Sequence, residues 1–373
     1  MARGWPFSPW RGSAVLAERR TLKLETTDPG AATRVAPPRL AYLDGWRAVA
    51  VGIVILSHVS GFRAGPPLLK EIARWLPVGQ IGVLIFFFIS GYVISRAALG
   101  EIGRSGEFSV PAFYVRRAFR IIPPLALYLM ACVGLGALGL VDFHFRNAIP
   151  AFLYVCNVEA FNQCQWLAGH TWSLAFEEQF YLLFPALVSL VLLHRRPLLP
   201  LLCGALAFAA LPLLFPLSYS GKYDFYLVYG LFGAGFLAAR HEAAVRTALQ
   251  PVATAGFMAA GAVILLMPAT MAWPVLYNNY PLVFFIAIPL LVLCAGLSGL
   301  GGFLQAGWLR YLGRISYAIY LWQELATSEL TRRQPLLVEL AAVAAVVGLC
   351  ALLFEVMEKP LIRLGRRLSE RVA

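Results

Sequence analysis

The chain alternates between long apolar blocks and short polar breaks rich in Arg, Pro and Gly. A spanning helix needs about 20 mostly apolar residues. That pattern predicts spans at roughly 41–61, 79–99, 121–140, 172–193, 197–216, 223–239, 251–271, 279–299, 311–328 and 335–355. The expected fold is an all-α membrane protein: a polytopic bundle of about ten transmembrane helices with both termini cytoplasmic. Segment 172–193 opens on polar residues and 311–328 carries several. Segment 147–158, NAIPAFLYVCNV, is apolar but too short to span, and is expected outside, on the membrane surface or re-entrant. Residues 1–38 read as a flexible basic cytoplasmic extension. Their one apolar stretch, Ser13 to Ala17, is shorter than a secretory signal core. The transmembrane domain is expected over 39–364, with a cytoplasmic tail at 365–373.

Composition agrees with the pattern. Hydrophobic residues make up 60% of the chain and charged ones 13%, with a mean hydropathy of +0.72. A soluble domain is about 25% charged, so a water-soluble enzyme, a disordered chain and a disulfide scaffold are excluded. The net charge of +12 would suggest nucleic acid in a soluble protein. Here no nucleic-acid partner is expected. The predicted topology puts 23 of the 31 Lys and Arg on the cytoplasmic side, seven outside and Arg47 within the first span. That asymmetry is what orients helices in a bilayer, and it favours an even number of spans. No metal is expected: the six Cys have no metal-ligand spacing. Cys132, Cys203, Cys294 and Cys350 read as packing residues. Cys156 and Cys164 fall on the oxidising side, where a disulfide and two free thiols are both open.

Ionisable residues inside spans are expensive and mark function. In YLDGWRAVAVGIVILSHVSG, Arg47 and His58 lie eleven residues apart, on one helix face and separated by about 16 Å along its axis. Asp44, one turn earlier, is within reach of Arg47. The polar stretch FYVRRAFRIIPP is read as the loop after the second span, and its Arg116, Arg117 and Arg120 suit an anion site as well as ordinary inside anchoring. In TWSLAFEEQFYLLFP, Glu177 and Glu178 enter a span from the outer side. Ser173, Glu177 and Tyr181 share a face, Trp172 flanks them, and Glu178 sits a quarter-turn away. A neutral His can act as a general base near pH 7. Phosphate-binding Arg inside, His deeper, and carboxylates outside would suit group transfer across the membrane. Sequences for nucleoside-triphosphate hydrolysis and zinc proteolysis are missing.

These segments together resemble the acyltransferase-3 family of integral membrane O-acyltransferases. RLAYLDGWRAVAVGIVILSH is similar to its opening helix, GQIGVLIFFFISGYVIS with Ser90 to its second, and FYVRRAFRIIPP to its R-x-x-R segment. TWSLAFEEQFYLLFP resembles its W-S-L-x-x-E-x-x-F-Y segment, RISYAIYLWQ with Tyr317 its late S-Y-x-x-Y-L-W-H segment, and FEVMEKPLIRL its closing E-x-P helix. The resemblance runs from about 39 to 364. It implies ten core helices and a cytoplasmic acyl-CoA donor, most often acetyl-CoA. It also implies a hydroxyl acceptor on a glycan or glycolipid at the outer face of a bacterial inner membrane. His58 and Glu177 are then the catalytic residues, with Glu177 on the acceptor side. Arg47, Arg116, Arg117 and Arg120 are the donor-binding ones. Asp44, Ser90, Trp172, Ser173, Glu178, Tyr181, Tyr317 and Gln323 are structural or acceptor-side. Gln323 stands where the family usually has His, and cannot take a proton at neutral pH. A separate protein is the expected agent of any second step. A secondary transporter of a sugar or lipid-linked substrate is the rival reading, although no paired halves are visible. A membrane scaffold would leave the intramembrane charges unexplained.

Overall fold

A computed structural model describes residues 40–59, 78–158, 164–193, 222–267, 280–328, 331 and 334–373. Every regular element among them is a helix. Each predicted span overlaps described helix except 197–216, which lies outside the described residues, as does the 1–38 extension.

Helix α1 (Ala41–His58) packs along α2 (Val78–Ser105), and α2 packs in turn on α6 (Lys222–Arg240). The α2–α6 contact is close because Gly91 and Gly235 face the opposing backbone: a Cβ at Gly235 would lie 2.6 Å from the Phe88 carbonyl oxygen. Small residues at such crossings are how membrane helices gain dispersion contacts where lipid offers no hydrophobic drive. Helix α3 (Val110–Ala137) starts at a Ser109 cap, whose Oγ accepts from the Ala112 N–H at 3.3 Å. Helix α4 (Phe145–Phe152) is a short surface helix with Phe145, Ile149 and Phe152 exposed along one side. Helix α5 (Trp172–Leu193) follows a link at 164–171.

Helix α7 (Glu242–Leu249) is tied to α2 by the 2.8 Å Arg96–Glu242 ion pair and runs on into α8 (Ala253–Leu266). Helix α9 (Tyr280–Leu297) is followed by a 3-10 turn, Gly299–Gln305, after an 87° bend. Helices α10 (Gly307–Arg314) and α11 (Ser316–Ala326) occupy the predicted 311–328 span. Helix α12 (Leu336–Leu353) passes through a π-helical turn, Phe354–Glu358, into α13 (Lys359–Val372), which packs on α3. Thus helix continues through 365–372.

Four described helical segments are long and apolar enough to cross a membrane, or five with the bent pair. Helix α1 is not among them, because Asp44, Arg47 and His58 interrupt its apolar run. Large apolar side chains such as Met258, Leu265, Leu337 and Leu352 stand exposed on α8 and α12, as they would on a surface facing lipid.

One expectation is corrected. FYVRRAFRIIPP is not a loop. It lies inside α3, so Arg117 and Arg120 sit two to three turns into a helix. The cap and the Pro near the first turn start the helix well before its apolar run begins.

Candidate active site

The ends of α1 and α11, the start of α2 and the 164–171 link enclose a cavity of about 550 Å³. His58, Gln165, Trp166, His170, Tyr320 and Glu324 are among its lining residues. Helix α1 stops at His58 because Val59 turns to extended backbone, so the imidazole stands at the helix end. Its Nδ1 lies 2.8 Å from the Val54 carbonyl oxygen. A carbonyl can only accept, so this contact assigns the ring proton to Nδ1. Its Nε2 then faces Glu324 Oε1 at 3.3 Å. Gln323 Nε2 donates to the same oxygen at 2.9 Å. Gln323 therefore fixes the carboxylate that meets His58, a role that needs an N–H and no titration.

His170 was not singled out by its sequence position, and neither was Glu324. His170 ends the link ahead of α5, where its carbonyl accepts from Ser173 at 3.1 Å and Tyr320 at 2.9 Å. Its ring packs edge-on against Tyr128 and Tyr320, with centroids 5.7 and 5.3 Å away. Nδ1 stands 3.9 Å from Glu324 Oε1. Among the described residues neither ring nitrogen has a hydrogen-bond partner, and the same holds for Gln165 Oε1, Gln323 Oε1 and Glu324 Oε2. Burial, with the nearby His58, pushes the His170 imidazole down to about 3.

The other predicted residues gather deeper in the bundle. A small cavity of about 40 Å³ is lined by Arg47, Ser90, Arg117, Arg120, Glu177, Glu178, Tyr181 and Tyr317. Ser90 donates to Glu177 Oε1 at 2.6 Å, and Tyr181 donates to the same oxygen. The Arg117 guanidinium lies 4.8 Å over the Tyr181 ring. Arg47 Nε donates to Ser316 at 3.3 Å, and Tyr317 to the Ile121 carbonyl at 3.0 Å. Buried Glu358, on the π turn, interacts electrostatically with Arg120. Arg116 stands apart, paired with Glu101 at 2.8 Å. Asp44 is buried in the first turn of α1.

The geometry therefore redraws the expected layout. Glu177 and Glu178 line the Arg cavity and do not line that of His58. Both carboxylates lie more than a turn inside α5, and α3 brings its Arg residues to that depth because it begins so early. The two cavities lie in line along the same helices. Val83 lines one and Ser90 the other, about 10 Å of helix rise apart. Between them Tyr320 holds Ser173 at 2.6 Å and packs against Phe86 at 6.3 Å, and the Arg47 guanidinium lies 5.8 Å from the Phe86 ring centroid. Trp172 packs edge-on against Phe87 at 6.4 Å at the His58 end.

Residues 40–355 match the acyltransferase-3 domain. The chain belongs to the acyltransferase-3 family. The matched model describes an acyltransferase domain, which favours acyl transfer over the transporter and scaffold readings. It is 38% identical over 173 residues to the O-acetyltransferase OatA of Staphylococcus aureus strain NCTC 8325, an alignment of 43% of this chain and 26% of that one. It is 35% identical over 163 residues to SACOL0978 of strain COL, whose O-acetyltransferase assignment is provisional, covering 40% of this chain and 25% of the relative. The chain thus spans about a quarter of the length of these relatives. No solved structure is detectably similar to it.

Proposed function

We propose that this acyltransferase moves an acetyl group from cytoplasmic acetyl-CoA to a hydroxyl of a glycan or glycolipid at the outer face of a bacterial inner membrane. The bundle would have about ten spans and both termini inside. The observation that carries the reading is the cavity in which His58 Nε2 meets a buried carboxylate while Nδ1 is held by a backbone carbonyl. His58 and Glu324 then work as one acid–base unit. The hydroxyl oxygen of the acceptor attacks the thioester carbonyl carbon, and its proton passes to His58 Nε2. The tetrahedral adduct collapses, the C–S bond breaks, and the proton goes to the departing sulfur as CoA thiol.

The inner Arg residues supply cations along the donor's path. At about 40 Å³, with Glu177 and Glu178 in its wall, their cavity needs to open before it admits a phosphate. Arg117 and Arg120 are the donor-side pair in this reading, with Glu177 and Ser90 orienting them. Arg116, paired elsewhere, is left out.

The test is acetyl transfer from acetyl-CoA in membranes of the producing cells, whose own surface glycans serve as acceptor. His58→Ala, folded as judged by size exclusion in detergent, should lose transfer by about 10² or more. Transfer at the wild-type rate would sink the assignment. Mass spectrometry of surface glycans from a deletion strain would then identify the acceptor by the acyl group it loses.

A further inference from the structure

Among the described residues, both nitrogens of His58 are engaged, one by Val54 and one by Glu324. His170 is the opposite case. It is 6% exposed, it lines the same cavity, and among the described residues neither of its nitrogens has a hydrogen-bond partner, Glu324 Oε1 lying 3.9 Å from Nδ1. Buried polar groups are hydrogen-bonded in more than about nine cases in ten. An orphaned imidazole beside the orphaned Gln165 Oε1 and Glu324 Oε2 is therefore a set of hydrogen-bonding groups waiting for a ligand.

Its backbone is not free to move. The Tyr128 hydroxyl donates to the Leu167 carbonyl at 2.6 Å. Thr171 Oγ1 bonds the Ala168 carbonyl at 2.7 Å and approaches Cys156 Sγ at 3.1 Å. Ser173 and Tyr320 hold the His170 carbonyl. The link is thus pinned on all sides while the ring at its end is left unbonded. Fixed geometry with an unused donor is what electrostatic stabilisation of a transition state requires.

We infer that His170 is a second catalytic residue, whose ring N–H donates a hydrogen bond to the thioester carbonyl oxygen of the acyl donor and to the oxyanion that forms there. The inference rests on the acyl-transfer reading above. As the acceptor hydroxyl attacks, the C–O bond forms and the carbonyl π pair moves onto the oxygen facing His170. The hydroxyl proton arrives at the same moment on the His58–Glu324 unit, so positive charge grows beside the negative charge. Collapse returns the pair to carbon and expels sulfur, which takes the proton. His170 itself exchanges none. A ring that stays neutral through the working pH range is suited to that role, since it donates without becoming an acid that quenches the base.

Two variants and one labelling experiment test it, in the same membrane assay with acetyl-CoA as donor. His170→Phe keeps the ring packing against Tyr128 and Tyr320 but has no N–H. Its kcat should fall by about 10²–10³ with KM for acetyl-CoA changed less than about threefold. His170→Gln, which restores an N–H, should recover at least about tenfold of that loss. Independently of folding in the variants, diethylpyrocarbonate should modify His170 in the wild-type protein, and saturating acetyl-CoA should protect it. A folded His170→Phe with wild-type kcat, or modification unaffected by acetyl-CoA while the wild type still transfers, overturns this inference alone. If the wild type transfers nothing from acetyl-CoA, the broader reading fails and takes this one with it.

Discussion

At the scale of single residues, the site depends on one carboxylate oxygen. Glu324 Oε1 meets His58, receives the Gln323 amide and lies near His170. Glu324→Gln keeps the size of the side chain but cannot share a proton with Nε2. It should lower kcat by about 10² or more with little change in acetyl-CoA KM. Steady-state kinetics giving an unchanged kcat would reduce Glu324 to a packing residue. His58 was legible in the sequence because it closes an otherwise apolar helix at a fixed spacing from Arg47. Glu324 was adjacent to a residue already noted, yet its meaning lay in a partner from the far end of the chain. His170 carried no signal that singled it out in the sequence, and only the missing hydrogen bonds reveal it. Glu177 was legible as an intramembrane carboxylate but not as a neighbour of Arg117, since that needed the true start of α3.

At the scale of elements, apolar runs located the described helices and misjudged chiefly the start of α3. Hydropathy loses α3 at its three Arg residues, whereas Ser109 followed by Pro111 carries the start signal in the sequence. Half of the question about the cysteines was likewise open to spacing alone. The structure joins Cys156 to Cys164, with Cα atoms 6.0 Å apart, and leaves Cys132, Cys294 and Cys350 free and buried. That bridge ties the end of the α4 segment to the start of the link that carries His170. Maleimide should therefore label neither Cys156 nor Cys164 until a reductant is added, read by peptide mass. The Cys156→Ser/Cys164→Ser protein should melt a few degrees lower, in keeping with about 2 kcal/mol for a short loop. Labelling without reductant would disprove the bridge.

At the scale of the whole molecule, the charge asymmetry and the two aligned cavities belong to one layout. In the proposed topology basic residues orient the helices, and a few are drawn inside the bundle, where Glu177, Glu178 and Glu358 line the same cavity or interact with them. The layer of Phe86, Tyr320 and Ser173 divides that charged end from the imidazole end. In the proposed reaction the donor crosses this layer and the acceptor does not. Arg117→Lys and Arg120→Lys keep the charge but lose the planar fork. Each should raise the acetyl-CoA KM about tenfold, the worth of a hydrogen bond to a charged group, with kcat nearly unchanged. Unaltered KM in both would remove the donor role and leave a structural one. The overall charge of the chain suggests a topology, while this second use of the same residues needed their positions in space.

The Val54 carbonyl has a consequence for how such a site is inherited. It decides which imidazole nitrogen holds the proton, and every amino acid at position 54 supplies the same oxygen. A saturation scan would find that position tolerant of any side chain that packs. The chemical instruction is written in the turn of the helix and is invisible to the genetic alphabet. It can be erased only by changes that unwind the last turn of α1.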